Sequence, residues 1–145
     1  MTEQSQDRLA AAIAGAAESL PEIQAAFLFG SHASGRVHPE SDIDVAVLLE
    51  ADSPGGEPRS RFRRVFEALT THIAADRLDI VILNDAPPAL AFQVLKHGKL
   101  VLVRDRTILH RFRVATYSRH ADYAPVERFF REVTRRRALA QTVRG

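Results

Sequence analysis

Four short apolar runs, separated by longer amphipathic segments, constrain the fold of this 145-residue chain more than any other feature. The runs predict β-strands at Ile23–Phe29, Ile43–Leu49, Leu78–Leu83 and Leu100–Val103. Apolar residues elsewhere recur at helical spacing and predict helices near 5–20, 62–73, 88–97, 105–120 and 125–141. Pro88 opens the third of these helices, and Gly98 is predicted to cap its end. Strands alternating with helices indicate an α/β domain whose C-terminal third is helical.

Length and composition favour one globular domain over residues 1–145, since 46% of the residues are hydrophobic. No apolar run approaches the roughly 20 residues that a membrane-spanning helix needs. The absence of cysteine excludes disulfides and thiolate zinc sites. The N-terminal stretch is polar and unlike a secretory signal, so we expect a cytoplasmic protein.

Basic residues outnumber acidic ones from Arg104 to the end of the chain. A solvated helix face, a surface for a protein partner and a nucleic-acid contact are all compatible with this charge. Phe129 and Phe130 lie at helical spacing with other apolar residues, as core residues do, whereas single-stranded nucleic-acid sites expose their aromatics. Direct nucleic-acid binding is therefore the weaker of the two functional interpretations.

Carboxylates stand at the beginning of the second and third predicted strands. Asp42 and Asp44 are two residues apart and therefore point to the same face. Asp79 is the second residue of the third strand, so the three carboxylates converge if these strands are neighbours. Ionised carboxylates brought together repel, and a divalent cation such as Mg²⁺ relieves the conflict.

Gly30 and Ser31 follow the first strand directly. Glycine permits close approach of a ligand, free N–H groups at a helix start attract phosphate oxygens, and the serine hydroxyl adds a hydrogen bond. Each signal is weak alone: Asp42 fits a simple turn, and Asp79 fits an edge position paired with Arg77. Together they predict a metal-dependent nucleotidyl transfer site.

The stretch from Gly30 to Gly35, followed by Pro39–Val47, resembles the signature of the DNA polymerase beta-like nucleotidyltransferases, in particular the minimal nucleotidyltransferases (MNT proteins). The resemblance covers about residues 20–105 and leaves about 106–145 as a helical extension. It implies a small mixed sheet flanked by helices, with Asp42, Asp44 and Asp79 as catalytic ligands of two Mg²⁺ ions. It also implies that Gly30 and Ser31 hold the triphosphate of ATP. Ser34 stands where the family often has arginine, and Arg36 is the candidate to reach the phosphates instead.

The resemblance further implies a partner, because MNT proteins are antitoxins of helical HEPN ribonuclease toxins. We therefore expect transfer of AMP from Mg-ATP to a tyrosine hydroxyl of such a toxin, in agreement with a chain too short for a large acceptor domain. Two alternatives stay open: a transferase for a small hydroxyl compound such as an aminoglycoside, and a module that neutralises a toxin by binding alone.

Overall fold

The computed structural model describes residues 3–30, 43–51, 57–122 and 135. The helices in these ranges are α1 (Glu3–Glu18), α2 (Pro58–Thr70), α3 (Pro88–His97) and α4 (Arg106–Asp122). The strands are β1 (Ile23–Phe29), β2 (Ile43–Leu49), β3 (Leu78–Ile82) and β4 (Lys99–Val103). Two short 3₁₀ helices, Ala75–Arg77 and Leu83–Asp85, flank β3. The predicted helix 125–141 lies outside the described residues, apart from Arg135, which is helical.

The four strands form one mixed sheet in the order β3-β2-β1-β4. Strand β1 is antiparallel to both of its neighbours, β2 and β4. Strand β3 runs parallel to β2, with Ile43 opposite Leu78 and Val47 opposite Ile82. The expected α/β class and the mixed sheet flanked by helices are confirmed. The second and third strands are neighbours, which is the condition under which the carboxylates were expected to converge.

Both faces of the sheet are buried, which explains why β2 is apolar at almost every position. Ile43, Val45 and Val47 belong to a core cluster with residues of α1 and α2. Ala46 and Leu48 point to the opposite face and belong to a second cluster with residues of α3 and α4. Alternate residues of one strand therefore fill two cores, because successive side chains of a strand point to opposite faces.

Two side chains, Arg104 and Asn84, form hydrogen bonds with main-chain groups near the end of the sheet where β1 begins. Arg104 donates hydrogen bonds to the carbonyl oxygens of Ala17, Leu20 and Ile23, the last two at 3.1 and 3.4 Å. Asn84 donates to the Leu49 carbonyl and accepts from the Leu49 N–H, each at 2.9 Å. These contacts fasten the C-terminal end of α1 and the second 3₁₀ helix to the sheet.

Gly98 ends α3 as predicted. Glycines at helix ends usually adopt a left-handed backbone, but Gly98 does not. Gly98 has an extended conformation, with φ −71° and ψ 156°, and its N–H donates to the Val94 carbonyl at 2.7 Å. A Cβ at Gly98 would stand 2.5 Å from that carbonyl oxygen and 3.3 Å from the Leu28 carbonyl oxygen. The Val94 carbonyl at the end of the helix therefore excludes a side chain at this position, and the Leu28 carbonyl of β1 leaves little further space.

Within the described part of the chain, no helix is long and apolar enough to cross a membrane.

Candidate active site

Register pairs across three strands bring two of the predicted carboxylates together. Asp44 of β2 lies opposite Phe29 of β1 on one side and opposite Asp79 of β3 on the other. Register partners point to the same face of a sheet, here the face that α3 and α4 cover further along. Phe29, Asp44 and Asp79, called the carboxylate row below, therefore form a line across the sheet.

Gly30 follows Phe29 and closes one side of the row. Its backbone has φ +68°, a left-handed conformation that glycine adopts without strain. A Cβ built on Gly30 would overlap Oδ2 of Asp44 and stand 3.3 Å from its Cγ. The sequence predicted that Gly30 permits the close approach of a ligand. The structure adds that the Asp44 carboxylate occupies the space that a side chain at Gly30 would need.

The carboxylate row lies where the sheet meets solvent. Asp44 is half-buried and Asp79 is exposed, whereas Val45 and Val47, further along β2, are fully buried. The two carboxylates therefore lie next to each other at the boundary between the apolar core and solvent. Like charges at adjacent register positions destabilise a sheet unless a cation or a proton compensates them.

The donor set fits Mg²⁺, because carboxylate oxygens are the ligands that this hard cation prefers, usually one or two of them together with substrate phosphates. Among the described residues no three carboxylate, histidine or cysteine side chains form a metal-binding group, and the row supplies two. The predicted third ligand, Asp42, directly precedes β2 and lies outside the described residues. Ser31, Arg36 and the unusual Ser34 also lie outside them, so their roles stay predictions.

The competing interpretation of Asp79 receives partial support. Its strand is indeed at the edge of the sheet, as expected for a simple edge residue. The ion pairs found among the described residues include Arg61–Asp85 and Arg64–Glu22, and no pair between Asp79 and Arg77 is among them. The position of Asp79 beside Asp44 is therefore the more informative feature.

Sequence reasoning missed Phe29 as a member of the row. The residue was predicted only as the last apolar residue of a strand, and the structure makes it the half-buried neighbour of Asp44. Its position depends on the antiparallel register between β1 and β2. A local signal, an aromatic residue directly before the Gly-Ser pair, was present but does not reveal that register.

Comparison with known proteins identifies the family of the chain. A family model described as polymerase beta, nucleotidyltransferase matches residues 12–107. The protein adenylyltransferase MntA of Shewanella oneidensis is 35% identical over 82 residues, which are 57% of this chain and 55% of that protein. The match thus spans about half the length of this curated relative.

Solved structures extend the similarity over most of the chain. A chain from the crystal structure of a toxin-antitoxin with AMP-PNP aligns with a TM-score of 0.64 and 29% identity, over 86% of this chain and 98% of that one. A chain from the complex of tri-AMPylated Shewanella oneidensis HEPN toxin with MNT antitoxin aligns with a TM-score of 0.61 and 26% identity. That alignment covers 89% of this chain and 98% of the other. The carboxylate row, the mixed sheet and the matched model together show that the chain belongs to the polymerase beta nucleotidyltransferase family.

Proposed function

We propose that this chain is an antitoxin that transfers AMP from Mg-ATP to a tyrosine hydroxyl of a partner HEPN ribonuclease toxin. The main support for the proposal is that Asp44 and Asp79 occupy opposite register positions on adjacent strands, with Gly30 packed against Asp44. The similar proteins support a toxin protein as the acceptor of AMP, since one is a protein adenylyltransferase and others come from toxin–antitoxin complexes. ATP as donor suits a cytoplasmic reaction.

In the proposed reaction, the phenolic oxygen attacks the α-phosphorus of ATP. A new bond joins that oxygen to phosphorus, the bond to the bridging oxygen between the α and β phosphates breaks, and pyrophosphate leaves with the electron pair. The phenolic proton passes to solvent. The enzyme must therefore position two reactants in line and stabilise charge on the departing group.

The residues divide these tasks. Asp42, Asp44 and Asp79 would hold the two Mg²⁺ ions, which when bound lower the pKa of an acceptor hydroxyl and stabilise the departing pyrophosphate. Gly30 leaves room for the Asp44 carboxylate, and it would hold the triphosphate together with the residues that follow it. Ser31 and Arg36 would bind the triphosphate. Asp79 lies on β3, which is the edge strand of the described sheet.

The test uses the purified chain with the HEPN-domain protein encoded beside it, incubated with Mg-ATP and followed by intact mass measurement. The proposal expects the partner to gain one or more AMP units, and Asp44→Asn to abolish the gain. Glu18→Gln is the matched control, because it also removes one carboxylate charge but lies exposed at the end of α1, near the opposite end of β1.

The other outcomes contradict the proposal in different ways. A tight complex whose masses stay unchanged would indicate neutralisation by binding alone. Transfer to an aminoglycoside, with none to the partner, would indicate a small-molecule transferase. Undiminished transfer by Asp44→Asn would remove the carboxylate row from the mechanism.

A further inference from the structure

The outer side of α4 exposes two large apolar residues in one row. Leu109 and Thr116 face the rest of the domain and are buried. His110, Val114 and Tyr117 lie on the other side, where Val114 and Tyr117 are 56% and 44% exposed. Their spacing of four and three residues is the one along which a second helix packs. A helix side that meets only water is polar, so this side of α4 has the character of a contact surface.

Helix α3 holds the exposed tyrosine in place. The ring of Tyr117 meets the ring of Phe92 edge to face, with centroids 5.3 Å apart and an angle of 63° between the planes. His120 stacks on the same Phe92 ring, with centroids 3.5 Å apart. Phe92, Val114, Tyr117 and His120 are called the aromatic patch below. Because neighbouring rings restrict Tyr117, binding to it costs little side-chain freedom, and tyrosine is a frequent anchor of protein interfaces.

Cationic side chains surround the aromatic patch. The Nζ of Lys96 lies 5.5 Å from the centroid of the Phe92 ring. Arg111 and Arg113 each stand about one helical turn before an exposed residue of the patch. Helix α3 contains no carboxylate, and the one carboxylate of α4, Asp122, is its last residue. Among the described residues no ion pair involves Lys96, Arg111 or Arg113, so the patch has an uncompensated positive rim.

The charge around the patch decides between its possible occupants. A second copy of this chain would bring the same cations face to face. Residues 123–145 contain six arginines and two glutamates, so this segment has the same sign of charge as the rim. Nucleic-acid bases stack on open aromatic faces, whereas His120 covers one face of Phe92 and Val114 has no ring. An acidic protein surface matches both the positive rim and the apolar row.

We propose that the aromatic patch binds an acidic helix of the partner toxin, which packs along α4. Apolar residues of that helix contact Val114 and Tyr117, and its carboxylates lie opposite Lys96, Arg111 and Arg113. Burial of the apolar row supplies affinity, and the charges direct association and orientation. Helices α3 and α4 cover the sheet face to which the carboxylate row points, so a partner held on them stays on that side of the sheet. This inference rests on the proposed transferase function and specifies the surface that holds its protein acceptor.

The first test measures the affinity of the HEPN-domain partner by calorimetry without nucleotide. Val114→Asp and Arg111→Glu should each weaken binding by about tenfold or more, because each places a negative charge against an acidic surface. The matched controls are Phe62→Asp and Arg63→Glu, at exposed positions of α2, which packs on the opposite face of the sheet. They should bind within about twofold of wild type. Unchanged melting temperatures of the variants would show that the fold is retained.

Carbodiimide cross-linking gives a second readout that needs no substitution. The reagent joins an ammonium group directly to a carboxylate, and the chain contains two lysines, Lys96 and Lys99. Lys96 belongs to the rim of the aromatic patch, whereas the Nζ of Lys99 donates a hydrogen bond to Gln6 of α1 at 3.1 Å. In the complex, Lys96 should become linked to aspartate or glutamate residues of the partner, and Lys99 should not. Mass spectrometry of the digested complex identifies the linked residues.

The inference is overturned if Val114→Asp and Arg111→Glu bind the partner within about twofold of their controls, or if the partner is linked to Lys99 and not to Lys96. Loss of affinity for single-stranded RNA in these variants, with partner binding unchanged, would overturn it in favour of a nucleic-acid site. A wild-type chain that forms no complex would overturn both proposals. A wild-type complex that shows the expected binding but gains no AMP would contradict the proposed function alone.

Discussion

Gly30 lies so close to Asp44 that the backbone of one residue limits the position of the other's carboxylate. A Cβ on Gly30 would overlap Oδ2 of Asp44, and the φ of +68° already disfavours any residue with a side chain. The first glycine of the Gly-Ser pair therefore has a role beside any contact with phosphate. It provides the space for the carboxylate of Asp44, the proposed metal ligand.

Gly30→Ala should reduce AMP transfer by about 100-fold, because a displacement of about 1 Å in a catalytic group has effects of this size. The left-handed backbone should also lower the free energy of unfolding by about 1–2 kcal/mol. Transfer rates and urea denaturation measure the two effects. Gly15→Ala is the control, since its Cβ would meet only the exposed ring of His72, at 3.2 Å. A Gly30→Ala variant with wild-type rates would show that Asp44 does not need this space.

Asp79→Asn should abolish transfer and yet stabilise the fold when divalent cations are absent. The carboxylates of Asp44 and Asp79 occupy register positions on neighbouring strands, so removing one charge removes a repulsion. The expected gain in the free energy of unfolding is about 0.2–1 kcal/mol at low salt. Chemical denaturation with EDTA and with excess Mg²⁺ measures it. The gain should shrink or reverse with Mg²⁺, and destabilisation in EDTA would contradict the predicted repulsion.

Asn84→Ala should destabilise the domain without changing the chemistry of the site. The variant removes two hydrogen bonds with Leu49, each 2.9 Å long, at the end of β2 remote from the carboxylate row. The free energy of unfolding should fall by about 1–3 kcal/mol. Asn84→Asp keeps the acceptor but cannot donate to the Leu49 carbonyl, so it should also destabilise. Urea denaturation of both variants tests this, and unchanged midpoints would show that the contact adds nothing.

Arg104→Lys should lower the melting temperature although it preserves the charge. The guanidinium reaches three carbonyl oxygens, those of Ala17, Leu20 and Ile23, and an ammonium group does not reproduce this forked geometry. The expected loss is about 1–2 kcal/mol in the free energy of unfolding. Arg106→Lys, an exposed substitution at the start of α4, is the control and should have little effect. Equal melting temperatures for the two variants would contradict the proposed role of Arg104.

Local pattern predicted most of the secondary structure of the described residues. The predicted bounds of β1 and β2 agree with the observed strands, and four of the predicted helices differ from the observed ones by a few residues at their ends. The two short 3₁₀ helices were not predicted, and the helix predicted at 125–141 stays a prediction. The spacing of Asp44 within β2 and of Asp79 within β3 also indicated the face to which each points. These features depend on residues near in sequence, through the two-residue period of strands and the 3.6-residue period of helices.

Tertiary structure decided which of these elements meet. Periodicity alone does not reveal that β1 lies between β2 and β4 or that Phe29 is beside Asp44. The sequence also assigned Gly98 to a helix end without showing that the nearby carbonyl oxygen of Val94, rather than a left-handed turn, requires glycine. Strand order and register are set by non-local burial of both sheet faces. The sequence therefore determined the candidate chemical groups of this protein, and the packed sheet determined which of them lie together.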